Sequence, residues 1–149
     1  VNKNFYNKID LAFAIQVIEH VKNPVLFLSE IFKFLKKGGK LILSTPNRND
    51  ILMEAIPEIY KSFFYRSVHR WYFDIDSLKF CSKKAGYKIL EIKPIHRYGM
   101  SNFINWLQNK SPSGFKVNKY IDNMADNFWK AYLENNKKSD CLYFILSKD

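Results

Sequence analysis

Two residues with complementary chemistry, Glu19 and His20, stand side by side just beyond the apolar run "IDLAFA", Ile9 to Ala14. A histidine that titrates near neutrality can take a proton from an acceptor hydroxyl, with a neighbouring carboxylate orienting it. The pair also has a plainer reading. Glu19 near the start of a coming helix favours its dipole, and His20 packs or bonds to a loop carbonyl. Asn47 and Arg48 pose a parallel choice after a second apolar run, "KLILSTPN". They either reach the mouth of a pocket or simply make the turn that Pro46-Asn47 favours.

The elements that must position these pairs are legible. Ile9 to Ala14 is nearly continuous in apolar residues, the pattern of a strand covered on both faces in a parallel sheet. Asn23 offers an N-cap with Pro24 at the first helical position. Val25, Leu28, Ile31 or Phe32 and Leu35 then recur at helical spacing until Gly38-Gly39 stop the helix. The second strand ends where Pro46 forbids continuation. Strand, helix, strand with short joins is a βαβ crossover of right-handed sense. Ligands of such sheets sit at the carboxyl ends of the strands, which is where both pairs fall.

Residues 51–65 predict a broken helix or lid, interrupted at Pro57. Asp74 caps a helix that places Leu78, Cys81 and Ala85 on one face and closes at Gly86. "YKILEIKPI" is a third strand and "CLYFILSK" a last one. Between them, residues 97–136 predict a helical insertion, with Trp106 and Trp129 in its core. Its second half, Tyr120, Met124, Phe128 and Tyr132 with Ile121, Ala125 and Leu133 alongside, describes an amphipathic helix. The class is α/β.

Composition bounds the rest. With 149 residues, 47% hydrophobic and 17% aromatic, the chain has material for one domain with a real core. The net charge of +10 invites a nucleic-acid or anionic-membrane reading. The lysines argue for a solvated basic exterior instead, because the pairs at 36–37, 83–84 and 137–138 each fall near the end of a predicted helix. Nucleic acid is not an expected partner. Cys81 and Cys141 have no C-x-x-C spacing and read as small buried hydrophobes of a reduced compartment. No apolar run approaches the roughly 18 residues of a membrane span, and the N-terminus lacks a signal-peptide core, so a cytoplasmic chain is expected. It begins at Val1 and enters a buried-looking strand almost at once, the expectation for a piece of a longer protein.

The stretch "DLAFAIQVIEHVKNPVLFLSEIFKFLKKGGKLILSTPNR", with "HRWYFDIDSLKFCSKKAGY" after it, resembles class I S-adenosylmethionine-dependent methyltransferases, close to the ubiquinone-biosynthesis O-methyltransferase group. The similarity spans about residues 5 to 95. It implies a Rossmann-like sheet of which residues 1–149 supply the C-terminal part, strands four to seven, the last two an antiparallel pair at one edge. The glycine-rich turn and the acidic residues of the family's N-terminal half are not in this chain. Its glycines, at 38, 39, 86, 99 and 114, make no G-x-G pattern.

The resemblance implies transfer of a methyl group from S-adenosylmethionine to an oxygen or nitrogen of a small-molecule acceptor, by a chain inactive on its own. It implies that Ala14, Ile15 and Gln16 line the cofactor, and that Glu19 and His20 are catalytic, with His69 approaching from the lid side or serving as a structural loop histidine. Related quinone O-methyltransferases suggest a further role for Glu19-His20, holding a divalent cation, but two ligands do not make a metal site, and none is assigned. Asn47 and Arg48 are the substrate-binding expectation. The rival reading is a non-catalytic remnant or partner module. Half of a seven-stranded sheet should expose an apolar edge at Ile9 to Ala14 and self-associate through it.

Overall fold

The computed structural model describes residues 3–149. These divide into two compact units, one built from Ser67–Lys93, Leu142–Asp149 and the chain up to Pro46, the other from Asn47–Arg66 and Pro94–Cys141. The first carries most of a four-stranded sheet.

Strand β1 (Ile9–Ile15) leads through a short 3-10 turn, Ile18–His20, into helix α1 (Pro24–Phe34). The helix starts as its sequence dictates: Asn23 Oδ1 accepts the Leu26 amide at 3.0 Å, and Pro24 occupies the first position. Its end differs from expectation. The helix stops at Phe34, and Leu35 already belongs to strand β2 (Leu35–Pro46).

Gly38-Gly39 therefore lie inside a strand. β1 and β2 are parallel, with Ile9 opposite Leu35 and Leu11 opposite Lys40, so β2 bulges between those two positions. Gly38 takes a left-handed φ of 76° there. A side chain at Gly39 would stand 2.9 Å from the Ile9 carbonyl and 2.8 Å from that of Lys36. The lysines at 36–37 accordingly sit in the bulge, where Lys36 pairs with Asp10, and not at a helix end.

Helix α4 (Ile75–Lys84) begins with a reciprocal capping box, in which the Ser77 amide donates to Asp74 Oδ1 and the Asp74 amide to Ser77 Oγ. Gly86, at φ 93°, turns the chain into strand β3 (Lys88–Ile95). Strand β4 (Cys141–Ser147) inserts between β2 and β3, for a sheet order β1-β2-β4-β3. Bonds from the Lys148 amide to Gly39 O and from the Asn47 amide to Asp140 O show β4 antiparallel to β2. Lys88 meets Asp149 at one end of the β3–β4 pair and His96 meets Asp140 at the other, so β3 is antiparallel to β4.

The core beneath joins Leu28, Leu41, Leu43, Leu78, Phe144 and Leu146, all fully buried. Its outer strand is different. Along β1, Leu11, Phe13 and Ile15 alternate onto one face and are 46%, 63% and 43% exposed. The continuous apolar pattern of this segment is thus covered on one face only.

In the second unit, helices α2 (Ile51–Ala55) and α3 (Pro57–Phe64) are the expected broken pair, split at Ile56 before Pro57. Tyr60 and Phe63 of α3 pack with Trp106 of helix α5 (Met100–Asn109), Phe64 packs on Tyr60, and Trp106 is 3% exposed. Helix α6 (Asn123–Asn135) is held to α5 by Asp126, whose Oδ1 accepts the Ser101 amide at 2.8 Å.

The expected insertion helix starts after Tyr120 and Ile121, and its Met124, Phe128 and Tyr132 face outward. The packed side carries Leu133, Ala125 and the half-buried Trp129, which is only partly in the core. Periodicity fixes that a helix has two faces, and packing decides which one is covered.

Replacing Gly39 with alanine forces the bulged strand away from the Ile9 carbonyl, at a cost of about 2 kcal/mol or more. The urea midpoint falls with unchanged m value, whereas an unshifted midpoint would show that the bulge relaxes freely.

Candidate functional site

Chain geometry at the end of β1 creates the site. Gln16 adopts a left-handed φ of 55°, unusual outside glycine, and its amide donates to Ser44 O of β2. The chain thereby leaves the sheet and winds through the 3-10 turn that carries Glu19 and His20.

Glu19 is 1% exposed. Its Oε2 accepts from Thr45 Oγ1 at 3.2 Å, and its carbonyl accepts the amides of Arg70 and Trp71. Those two bonds draw the residue 67–73 segment over the turn. Trp71 Nε1 adds a third, to Val21 O at 2.9 Å.

His69 arrives with that segment. Its ring centroid stands 4.8 Å from that of His20. His20 Nδ1 lies 2.9 Å from Val68 O, which only accepts, so Nδ1 carries the proton and Nε2 holds the free electron pair. Nε2 faces Glu19 Oε1 at 3.9 Å, too long for a hydrogen bond and short enough for one ion to touch both. One donor atom each from Glu19, His20 and His69 lies within 4.8 Å of the others.

Among the expected cofactor-lining residues, Ala14 is 3% exposed, Ile15 is on the exposed apolar face, and Gln16 Nε2 donates to Ser44 Oγ at 3.3 Å. Asn47 is committed elsewhere. Its side-chain amide donates to Ser139 O at 2.8 Å and Lys137 O at 3.2 Å, while Oδ1 accepts the Asn49 amide. That is the turn chemistry its alternative reading describes, and it leaves the side chain no spare donor for a substrate. Arg48 beside it is exposed.

The first unit also holds an open cleft of about 740 Å3, walled by Val25, Trp71, Phe73 and Phe80 with Lys22 and Ser77 as polar members. Its Trp71 is the residue pinned to the Glu19–Val21 backbone.

Comparison with known proteins decides the family. Residues 2–92, more than half of the chain, match the family model described as Methyltransferase domain. The chain belongs to the class I S-adenosylmethionine-dependent methyltransferases. This methyltransferase chain is 30% identical over 117 residues to the ubiquinone biosynthesis O-methyltransferase of Cereibacter sphaeroides, covering 74% of this chain and 45% of that protein. The enzyme of the same name from Ruegeria pomeroyi matches at 30% with the same coverage. The chain thus spans less than half the length of these relatives.

Among solved structures, a SAM-dependent methyltransferase from Thermotoga maritima superimposes with a TM-score of 0.58 at 19% identity, over 97% of this chain and 57% of that one. An S-adenosylmethionine-dependent methyltransferase from Mesorhizobium loti gives 0.59 at 11%, over 96% and 63%. Both share the Rossmann-like fold. Among the described residues no helix is long and apolar enough to cross a membrane.

The second unit holds a buried titratable cluster that no motif announces. Asp50, 2% exposed, accepts from Tyr60 Oη at 2.7 Å and caps α2 through the Leu52 amide. Burial pushes its carboxyl up to about 6 from an ordinary 3.8. His96, 6% exposed, accepts the Asp140 amide at Nδ1, and burial lowers it to about 4 from an ordinary 6.5. Asp140 Oδ1 lies 3.4 Å from that nitrogen, yet the accepted amide keeps the imidazole neutral, and the Arg97 guanidinium takes the carboxylate instead. Only the capping role of Asp50 has a local sequence signal. The residue that bonds the His96 ring, Asp140, stands 44 positions away.

These two groups act oppositely on stability. Folded Asp50 binds its proton below about 6, so its contribution is present below 3.8 and is lost as pH rises to 6. Folded His96 refuses its proton until about 4, so its contribution is present above 6.5 and is lost as pH falls to 4. Asp50→Asn keeps the cap and removes one side of this balance. The variant is at least as stable as the parent at pH 7 and loses stability more steeply between pH 6.5 and 4 in urea titrations. Parallel pH profiles for parent and variant would refute the balance.

Proposed function

We propose that the complete protein transfers a methyl group from S-adenosylmethionine to an oxygen or nitrogen of a small-molecule acceptor, and that this chain forms its C-terminal part, strands four to seven. The fragment reading is supported by the exposed apolar row Leu11, Phe13 and Ile15 on the outermost strand, a face that a further part of the fold would cover. Residues 97–136 form the insertion that precedes the last strand.

The cofactor brings an electrophilic methyl group on sulfur, so the protein's task is alignment, proton removal and exclusion of water. At the end of β1 the residues fit one wall of its site. Ala14 is small and buried, and the left-handed turn at Gln16 carries the chain away from the sheet. Ile15 and Gln16 complete that wall. The glycine-rich wall is not among these residues.

The observation that carries the catalytic reading is the orientation of His20. Nδ1 is spent on Val68 O, which leaves Nε2 basic beside a buried carboxylate. Nε2 accepts the proton of an acceptor hydroxyl, and Glu19 stabilises the imidazolium that results. The relatives named O-methyltransferases favour oxygen as the nucleophile. The cleft walled by Trp71, Phe73 and Phe80 suits an acceptor with an apolar or aromatic body. Arg48, exposed beyond β2, is the remaining substrate-binding candidate, whereas the buried bonds of Asn47 suit a structural role.

The Glu19-His20-His69 cluster favours one further role for the same residues. Its three donors are of the types that hold a divalent cation, which would lower the pKa of the acceptor hydroxyl.

The test uses the full-length gene product, first titrated with S-adenosylmethionine by calorimetry and then assayed for methyl transfer to a panel of phenols and catechols. His20→Ala lowers kcat by about 10²- to 10⁴-fold with cofactor affinity unchanged. Exhaustive chelation leaves a histidine-base enzyme active. Loss restored by Mg²⁺ or Mn²⁺ assigns the cluster to a cation instead. Full turnover by His20→Ala ends both roles, and a full-length protein that binds no cofactor makes the chain a non-catalytic module.

A further inference from the structure

Position 45 is one that an apolar residue would fill with no loss of packing. Thr45 is the last fully buried residue of β2, 0% exposed, between Ser44 and Pro46. Pro46 holds the residue before it in extended backbone, and branching at Cβ stiffens the side chain. A valine has nearly the same shape and lacks a hydroxyl that costs free energy to bury unless it is bonded.

The hydroxyl is bonded to Glu19. Thr45 Oγ1 donates to Oε2 at 3.2 Å, across 26 positions of chain. That is the single hydrogen bond the Glu19 carboxylate accepts among the described residues. Oε1 is left facing His20 Nε2 at 3.9 Å. The two oxygens thus have different tasks. One is held by the scaffold, and the other is set against the nitrogen that gains a proton.

That division bears on the reaction. The last torsion of a glutamate side chain is broad, so an untethered carboxylate spreads its charge over several positions. A hydroxyl donating to Oε2 fixes the torsion, and such a bond to an ionised acceptor is roughly twice as strong as a neutral one. Glu19 is therefore aimed before the acceptor arrives, and little reorganisation remains when Nε2 becomes positive.

We propose that Thr45 is a positioning residue for methyl transfer: its hydroxyl holds Glu19 Oε2 so that Oε1 is the oxygen set against His20 Nε2. The inference rests on the reading of His20 as the proton acceptor. The substrate's proton moves to Nε2, while Thr45 keeps its own proton on Oγ1 and acts only through Glu19.

The experiment uses the full-length gene product and a phenol or catechol that it methylates. Turnover is referred to the S-adenosylmethionine sites counted by calorimetry, so that unfolded protein is not scored as slow enzyme. Thr45→Val keeps the shape and removes the hydroxyl. It lowers kcat by about 10- to 100-fold, with the acceptor KM and the cofactor Kd within about twofold of the parent's. Thr45→Ser keeps the hydroxyl and restores kcat to within about threefold. Thr45→Cys, a weaker donor on the serine frame, falls between the two and reads the same effect if the valine variant does not fold. In a Glu19→Gln background Thr45→Val costs less than about threefold more, because the charge it aims has already gone.

Parental kcat in Thr45→Val, or in Thr45→Cys where that is the variant that folds, overturns the proposal. So does a Thr45→Ser variant no faster than Thr45→Val, which would assign the position to packing. A loss that appears in KM or the cofactor Kd instead of kcat, or that multiplies fully with Glu19→Gln, overturns it too. His20→Ala separates the two levels. A crippled His20→Ala beside a parental Thr45→Val ends this inference alone, whereas full turnover by His20→Ala ends the catalytic reading and this inference with it.

Discussion

The buried carboxylate of Glu19 is the constraint around which the candidate site is arranged. A carboxylate with 1% exposure is costly unless hydrogen bonds or an opposite charge meet it. Thr45 of β2 supplies one bond to the carboxylate. The same residue's carbonyl takes the Arg70 and Trp71 amides, fastening a segment some fifty positions away onto the 3-10 turn. His20 and His69 then face each other because the backbone on either side is tied down at Glu19. The orientation of His20 is then set by Val68 O, which belongs to the segment those bonds hold down.

The sheet that supports this turn depends on a similar local accommodation. β2 enters its pairing with β1 through a bulge that only glycines allow, one for its left-handed φ and the other for its approach to the Ile9 carbonyl. Beyond the bulge the register runs unbroken from Leu11–Lys40 to Ile15–Ser44, and it delivers Ser44 and Thr45 beside Gln16 and Glu19. A slip of one residue would point Thr45 to the opposite face and leave the Glu19 carboxylate without its hydroxyl donor.

The second unit shows how differently buried polar groups can be resolved. Asp50 and His96 are as buried as Glu19, but each meets its partners at short distance, Tyr60 and the Leu52 amide for one, the Asp140 amide for the other. Both are pushed toward their neutral forms. Such groups stiffen a core. Glu19 Oε1 and His20 Nε2, 3.9 Å apart, are by contrast not hydrogen-bonded to each other.

Much of this was legible in one dimension, because it rests on short-range rules. Pro24 after Asn23, Asp74 before Ser77, the break at Pro57 and the apolar strands each act within a few residues, and the family resemblance rides on those same stretches. The Glu19-His20 pair could be singled out from its neighbours alone. Three features could not. Gly38-Gly39 look like a helix stop until strand pairing claims them. Met124, Phe128 and Tyr132 share a face in any helix, yet whether that face is covered depends on what packs there. His69 meets His20, and Asp140 meets His96, across separations that no local pattern encodes. Residue types and spacing determined the elements and the chemistry available at their ends. Tertiary structure alone decided which groups meet and which are buried, because burial and contact are properties of the packed chain, whose register and long-range bonds have no short-range signature.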